Sequence, residues 1–367
     1  MPVPKEGPPM SRLGTVIVTG GAGFIGSALS QRLAATADRW VVIDSLHPQV
    51  HAERVRPASL ADAAELVIAD AASAPAWDEL LADVRPDTII HLAAETGTAQ
   101  SLDEATRHAV ANVVATTSML DALGRAGVVP ERFVLSSSRA VYGEGDWRTA
   151  DGTFVRPGMR SHDQLVAARW AFDGLEPVPS SVARTVPSPT SVYGATKLAQ
   201  EHLLEVWSGS RGARLDILRL QNVYGPGQSL INPYTGIVSL FSQLAARGEA
   251  IRVFEDGGIT RDFVYIDDTV EAFAAALATA SQARVRRFDV GFGAGRTILD
   301  LAIEIARFHD APAPVITGEF RDGDVRFAAC DITPTVEELD WTPSWDLTAG
   351  VAGLQDWIAA EHAGTSS

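Results

Sequence analysis

Thr15-Val16-Ile17-Val18-Thr19-Gly20-Gly21-Ala22-Gly23-Phe24-Ile25-Gly26 decides the fold. Its first five residues form an apolar, β-branched run suited to a strand buried on both faces. The glycines break that run, and Ser27–Ala37 resumes with helical spacing. Strand, glycine turn and helix in succession predict the phosphate-binding start of a βαβ unit. Backbone at Gly20, Gly23 and Gly26 can approach a pyrophosphate, with Phe24 and Ile25 opening a helix whose free N–H groups face its charge. The spacing is GxxGxxG rather than GxGxxG, so the flanking strand and helix carry the reading.

The chain downstream continues that unit. Trp40–Ile43 reads as a second strand ending in Asp44, about 20 residues past the glycines, where a carboxylate meets an adenosine ribose and repels a 2′-phosphate. Ser45-Leu46-His47 offers no arginine for that phosphate, so the expected cofactor is NAD rather than NADP. His47 and His51 read as loop histidines. Leu66–Asp70 is a third strand, with Asp70 placed either against the adenine or as a helix N-cap. Thr88–Ala94 is a fourth, whose small Ala93 and Ala94 let the chain pass close to a cofactor. Glu104–Arg125 is a long helical pattern containing Asn112, and Arg132–Leu135 is a fifth strand delivering Ser136, Ser137 and Ser138. This alternation predicts a doubly wound parallel α/β sheet of the Rossmann type, with ligands at the carboxyl ends of the strands.

Tyr193-Gly194-Ala195-Thr196-Lys197 places a phenol and an ammonium one helical turn apart, on one face. A tyrosine pKa near 10 is expected to fall toward neutrality beside a cation and a hydrogen-bonding serine, which makes the phenolate a general base toward a hydroxyl. Gly143–Tyr193 is longer than an ordinary loop and rich in Pro, Trp and Arg. Arg160, His162, Asp163 and Trp170 within it are either substrate contacts or parts of its own packing. After the sixth strand (Leu215–Leu220) the rhythm changes. Helices are expected over Ile237–Arg247, Asp267–Ala280 and from Thr297, strands at Ile251–Phe254 and Phe288–Val290, and closing elements at Thr335–Leu339 and Trp345–Glu361. The division expected is an arm at 1–12, a dinucleotide-binding domain at 13–225 with an insert at 144–190, an interleaved substrate-binding lobe at 226–362, and a tail at 363–367.

Bulk properties narrow the function. Hydrophobic residues at 46% and charged residues at 21% suit a packed soluble protein. A net charge of −16 argues against nucleic-acid binding, which needs a basic face. A single cysteine, Cys330, excludes an intrachain disulfide and a thiolate zinc cluster and suits a reducing cytoplasm. Neither a signal core nor an apolar run of membrane-spanning length is present in the sequence.

Taken in series, Thr19–Gly26 with Asp44, Ser136–Gly143, Tyr193–Lys197, Leu218–Gly227, Glu255–Asp268, Phe320–Asp324 and Cys330-Asp331 resemble the extended short-chain dehydrogenase/reductase family, most of all its nucleotide-sugar epimerases. Gln221–Leu230, Asn232–Gly236 and Ser136–Gly145 are most similar to epimerases of dTDP-L-rhamnose. The resemblance spans Thr15 to Trp357. It implies Tyr193 as base and acid, Lys197 on the nicotinamide ribose, and Ser138 sharing the sugar hydroxyl. It implies cofactor contacts at Gly20, Gly23, Phe24, Ile25, Gly26, Asp44, Asp70, Ala71, Leu92, Ala93, Ala94, Asn112, Ser136 and Val223. Substrate contacts are implied at Thr96 and Ser138, at Asn222 on the phosphate side, at Arg261 and Arg321 clamping the pyrophosphate, and at Asp324 on the nucleotide's sugar.

Two departures matter. The family's 4,6-dehydratases carry an Asp-Glu pair after the serine, where this chain has Arg139 and Ala140, so elimination of water is disfavoured. Rhamnose-epimerase-like relatives often have paired cysteines in the insert, and here there are none. The expected reaction is C4 epimerisation of a nucleoside-diphosphate hexose through a transient 4-keto sugar, by a homodimer built on the Glu104–Arg125 and Tyr193–Ser208 helices. The alternatives are a net nucleotide-sugar reductase or dehydrogenase, and a non-catalytic NAD-binding regulator.

Overall fold

The computed structural model describes residues 12–230 and 236–364. The expected arm (Arg12 apart), the motif residues Asn232–Thr235 and residues 365–367 lie outside the described residues. Seven parallel strands form the main sheet: β1 (Leu13–Thr19), β2 (Ala37–Asp44), β3 (Ala64–Ile68), β4 (Thr88–His91), β5 (Arg132–Ser138), β6 (Arg214–Leu220) and β7 (Val285–Val290). Their order is β7-β6-β5-β4-β1-β2-β3. The winding reverses between β1 and β4, which parts the loops above their carboxyl ends and leaves a crevice there.

Side-chain alternation along the strands builds two cores. Val16 and Val18 of β1 face one layer, with Leu29 and Leu33 of α1 (Phe24–Leu33). Ile17 faces the other, with Trp77 of α2 (Ala74–Asp83), Met119 and Leu123 of α3 (Ala115–Ala126), and Leu204 of α4 (Val192–Arg211). The bounds of α4 follow from its ends. Ser191 accepts from the Gly194 N–H at 3.0 Å as N-cap, and Gly212, at φ 82°, takes the left-handed conformation that stops the helix.

The pattern over Glu104–Arg125 is not one uniform helix. A turn at Ala105–His108 passes into a π-helical stretch, Ala109–Val114, before α3 begins. Asn112 sits inside that stretch, fully buried. The strand expected at Ile251–Phe254 shortens to Arg252–Val253, paired with Val315–Ile316. Thr297 begins its helix with a capping box to Asp300.

Segments after β6 interleave with the main sheet. β7 is its edge strand, and α5 (Ile266–Ala278) packs Phe273 into the first core. A second sheet combines Asn222–Tyr224, Thr260–Tyr265, Gly295–Thr297 and Phe327–Ala328. The insert forms its own antiparallel sheet from Phe154–Val155, Trp147–Thr149 and Leu175–Pro177. Arg160 of the insert is buried. It pairs with Glu255 at 2.8 Å and approaches Glu144 at 3.4 Å, and Glu255 also takes Arg326 at 3.0 Å. Arg160 is therefore a structural tie between the insert and the smaller sheet.

One carboxylate joins β5, β6 and β7. Arg286 of β7 grips Asp216 of β6 with two bonds of 2.7 and 2.9 Å and donates to the Ala276 carbonyl of α5 at 2.8 Å. Arg132 of β5 lies 3.6 Å from the same carboxylate. Arg286→Leu leaves that charge underpaired, and urea unfolding should show a loss of about 3–5 kcal/mol. Adding Asp216→Leu should cost less than the sum of the two single changes.

Candidate active site

The carboxyl ends of the central strands open into a cleft of about 1130 Å³, larger than the ~300–1000 Å³ of a pocket for one small ligand. The glycine turn forms its floor. Gly20 has φ 66°, and a Cβ there would lie 2.7 Å from the Ala93 nitrogen. At Gly26 a Cβ would lie 2.4 Å from the Gly21 Cα. Neither position accepts a side chain without moving backbone. The helix that follows starts at Gly23 with no side-chain cap, so its first-turn N–H groups are left for another acceptor.

Asp44 is held at the cleft by two backbone donors, Ala22 N at 3.0 Å and Leu46 N at 2.9 Å. Asp70 also lines it, accepting from Ala72 N at 2.8 Å. The N-cap of α2 is Ser73 rather than Asp70. Gly20, Gly23, Phe24, Ile25, Gly26, Ala71, Leu92, Ala93, Ala94, Thr96, Ser136, Ser138, Tyr193, Lys197, Asn222 and Val223 all reach the same cleft. His47 and His51, read as plain loop residues, line it too.

Four expected contacts, Asn112, Arg261, Arg321 and Asp324, are not in its wall. Asn112 lies behind it: its amide accepts from Glu95 N at 2.8 Å, donates to Glu95 O at 3.1 Å and donates to Thr196 at 2.8 Å. It thus ties the loop after β4 to α4. Arg261 donates to the carbonyls of Thr260 at 2.8 Å and Val325 at 2.7 Å, and pairs with Asp324 at 3.1 Å. Arg321 is exposed, its guanidinium 4.9 Å from the Phe254 ring centre. The cleft instead contains Arg139, Glu95, Arg107 and Gln49, none of which the sequence singled out as contacts. Arg107 bridges Glu95 and Gln49 at 2.8 and 2.6 Å.

α4 is fixed on β5 by a ladder of buried polar groups. Lys197, 2% exposed, donates to the Ser136 carbonyl at 2.8 Å. One turn on, Glu201 accepts from the Ser137 hydroxyl and takes both ends of Arg219 at 3.0 and 2.7 Å. At the end of β4, His91 bridges Thr19 at 2.7 Å and Thr116 at 2.9 Å, and burial holds it neutral with a pKa of about 3.

The expected lowering of the Tyr193 pKa is overturned. Burial raises it, while Ser138 as hydrogen-bond partner and the Arg139 charge pull it down less strongly. Lys197 does not contribute to that pull. Burial pushes its own pKa down to about 7, with Glu201 opposing, so little cation remains above neutrality to favour the phenolate. Helical spacing predicted the proximity of the two groups but not the desolvation that both suffer. The site therefore holds a phenol and an amine, each with its charged form disfavoured, beside a serine hydroxyl and an arginine. Such a set suits moving a proton on and off a bound hydroxyl once a ligand changes the charge balance.

The model of the NAD dependent epimerase/dehydratase family matches residues 16–163 and 164–291. The chain is 58% identical to a dTDP-L-rhamnose 4-epimerase of Burkholderia thailandensis, over 94% of this chain and 95% of that one. A UDP-glucose 4-epimerase of Thermotoga maritima, solved with UDP-glucose, superposes with a TM-score of 0.78 at 28% identity, covering 95% of this chain and 99% of that one. A UDP-glucose 4-epimerase of Thermus thermophilus, solved with NAD, does so at 0.73 and 25%, covering 94% and 99%.

Lys197 yields a test independent of turnover. Its pKa falls from 10.5 in the unfolded chain to about 7 in the fold. Between those values the unfolded chain binds the extra proton, so this residue makes stability rise with pH across the window. In nucleotide-free protein, Lys197→Met should flatten the rise in melting temperature between about pH 7 and about pH 9. An unchanged slope assigns the pH dependence to other groups.

Proposed function

The chain belongs to the NAD-dependent epimerase/dehydratase family, and on that footing we propose that it inverts C4 of a nucleoside-diphosphate hexose, with dTDP-L-rhamnose the favoured substrate. The observation that carries this reading is the convergence of Ser138, Tyr193 and Lys197 on the same cleft as the glycine turn and Asp44. The cleft suits NAD on its own geometry. Backbone fills the space where Cβ atoms would stand at Gly20 and Gly26, and an uncapped helix start faces the phosphate position. The fixed Asp44 carboxylate suits ribose hydroxyls and repels a 2′-phosphate. Bound there, NAD supplies reversible two-electron oxidation at the sugar carbon.

Within this reading the chain's residues handle protons and position. Once bound ligands shift the charge balance and the phenol has passed its own proton to solvent, Tyr193 Oη takes the proton of the C4 hydroxyl as that carbon is oxidised, and returns it to the oxygen after the flat 4-keto sugar has presented its other face. Ser138 Oγ holds the same oxygen, and Arg139 lowers the cost of the phenolate. Lys197 donates to the Ser136 carbonyl, and in this reading its role is to hold the nicotinamide ribose. The substrate preference rests on the 58% identical relative.

A cytoplasmic homodimer completes the proposal. Val110 (41% exposed) and Val114 (43%) in the π-helical stretch, and Val206 (73%) on α4, present apolar surface on the two helices expected to pair. Val206→Glu should shift the protein toward a monomer in size-exclusion chromatography with light scattering.

For the chemistry, incubation with dTDP-L-rhamnose followed by proton NMR should show the C4-inverted sugar with no stoichiometric release of reduced cofactor. Tyr193→Phe should lower turnover by about 10²–10⁴-fold while retaining NAD. Accumulation of free reduced cofactor in step with product would replace epimerisation with net oxidation.

A further inference from the structure

Arg139 follows Ser138 at the end of β5 and lines the cleft. Its Nε donates to the Asn222 amide oxygen at 3.1 Å. Among the described residues, its two η nitrogens meet no protein acceptor and no carboxylate lies within ion-pair distance. The other arginines near the site are differently placed. Arg107 is paired with Glu95 and Glu104. Arg261 is taken up by two carbonyls and Asp324, and Arg321 lies on Phe254 facing solvent. Burial pushes the Arg139 pKa down to about 9, with the Arg261 charge adding to the effect, so the group stays cationic at neutral pH at a cost that a bound anion would relieve.

Given the nucleotide-sugar reading above, on which this inference rests, we infer that Arg139 binds the substrate diphosphate, at the phosphate bonded to the sugar. The guanidinium bonds Asn222 and is near enough to Tyr193 for its charge to act on the phenol. In a nucleotide sugar whose C4 hydroxyl meets Tyr193, the C1 phosphate is one ring width away, and Arg139 with Asn222 offers it donors in the same cleft. The η nitrogens present two parallel donors, the geometry that suits a phosphate edge. Arg139 is thus the fixed point about which the 4-keto sugar turns, while Arg261 shapes the wall behind it. The same charge would also receive a carboxylate on C5 of a uronic acid, and the test separates the two.

Calorimetric titration of the NAD-loaded protein with dTDP, dTMP, UDP and UDP-glucuronate, in wild type, Arg139→Gln and Arg139→Lys, decides the matter. Arg139→Gln keeps a donor toward Asn222 and removes the charge, and unchanged NAD content and melting temperature show that the fold holds. The expected result is a loss of roughly 30-fold or more in dTDP or UDP affinity in Arg139→Gln. Affinity for dTMP should be nearly unchanged, Arg139→Lys should be intermediate, and KM for the nucleotide sugar should rise more than kcat falls. Equal dTDP and UDP affinity in wild type and Arg139→Gln overturns the inference while leaving the nucleotide-sugar reading intact. So does a loss confined to UDP-glucuronate, or an equal loss for dTMP and dTDP. A wild type that binds neither diphosphate overturns both.

Discussion

The attachment of α4 to β5 is the constraint on which the rest of the structure depends. Every group proposed for proton transfer is on one or the other: Ser138 ends the strand, and Tyr193 and Lys197 begin the helix. Their mutual position is set by buried polar contacts as well as by apolar packing. Lys197, Glu201 and Arg219 are between 1% and 3% exposed. Charges so far from water are tolerable only in a geometry that keeps each of them bonded, because an orphaned buried charge is far costlier than a lost apolar contact. The ladder of Lys197 on the Ser136 carbonyl, and Glu201 on Ser137 and Arg219, therefore accepts one register of helix on strand and excludes sliding.

The same desolvation shapes the chemistry. Tyr193 is held as phenol and the Lys197 pKa is pushed down to about 7, so the cleft stores little charge on its reactive pair. Arg139 is the opposite case, a cation that stays charged while partly stripped of water. Beside the reactive pair the cleft thus carries one cation, Arg139, that needs no change of protonation to meet an anion.

Much of this was legible in the sequence where the signal is local. Thr15–Gly26 announced strand, turn and helix, because close backbone approach can only be met by glycine in a row of side chains. Tyr193 and Lys197 announced a shared face through helical spacing alone. What stayed hidden depends on contacts between distant segments. Asn112 reads as a polar residue in an amphipathic helix, and nothing local shows the π-helical stretch it occupies or its bonds to Glu95 and Thr196. Arg261 reads as an anion clamp, and nothing local in the sequence shows that it also bonds the carbonyl of Val325. Arg139 was visible only as a departure from the dehydratase pattern, since nothing local shows that its neighbour in space is Asn222. The upward direction of the Tyr193 shift is hidden for the same reason: burial belongs to the assembled cleft, not to the helix.

The strand order has a consequence for how the protein is made. β7, the outer strand beside β6, is formed by residues 285–290, while Arg132 and Asp216 are on strands completed far earlier in the chain. A nascent polypeptide leaving the ribosome must therefore expose the edge of β6, and an acidic group awaiting its main partner, until Arg286 has been synthesised. Parallel strands joined through long crossovers are slow to pair in any case. The interval between translation of Leu220 and of Val290 is when this chain is most open to chaperones and to mispairing with its own kind.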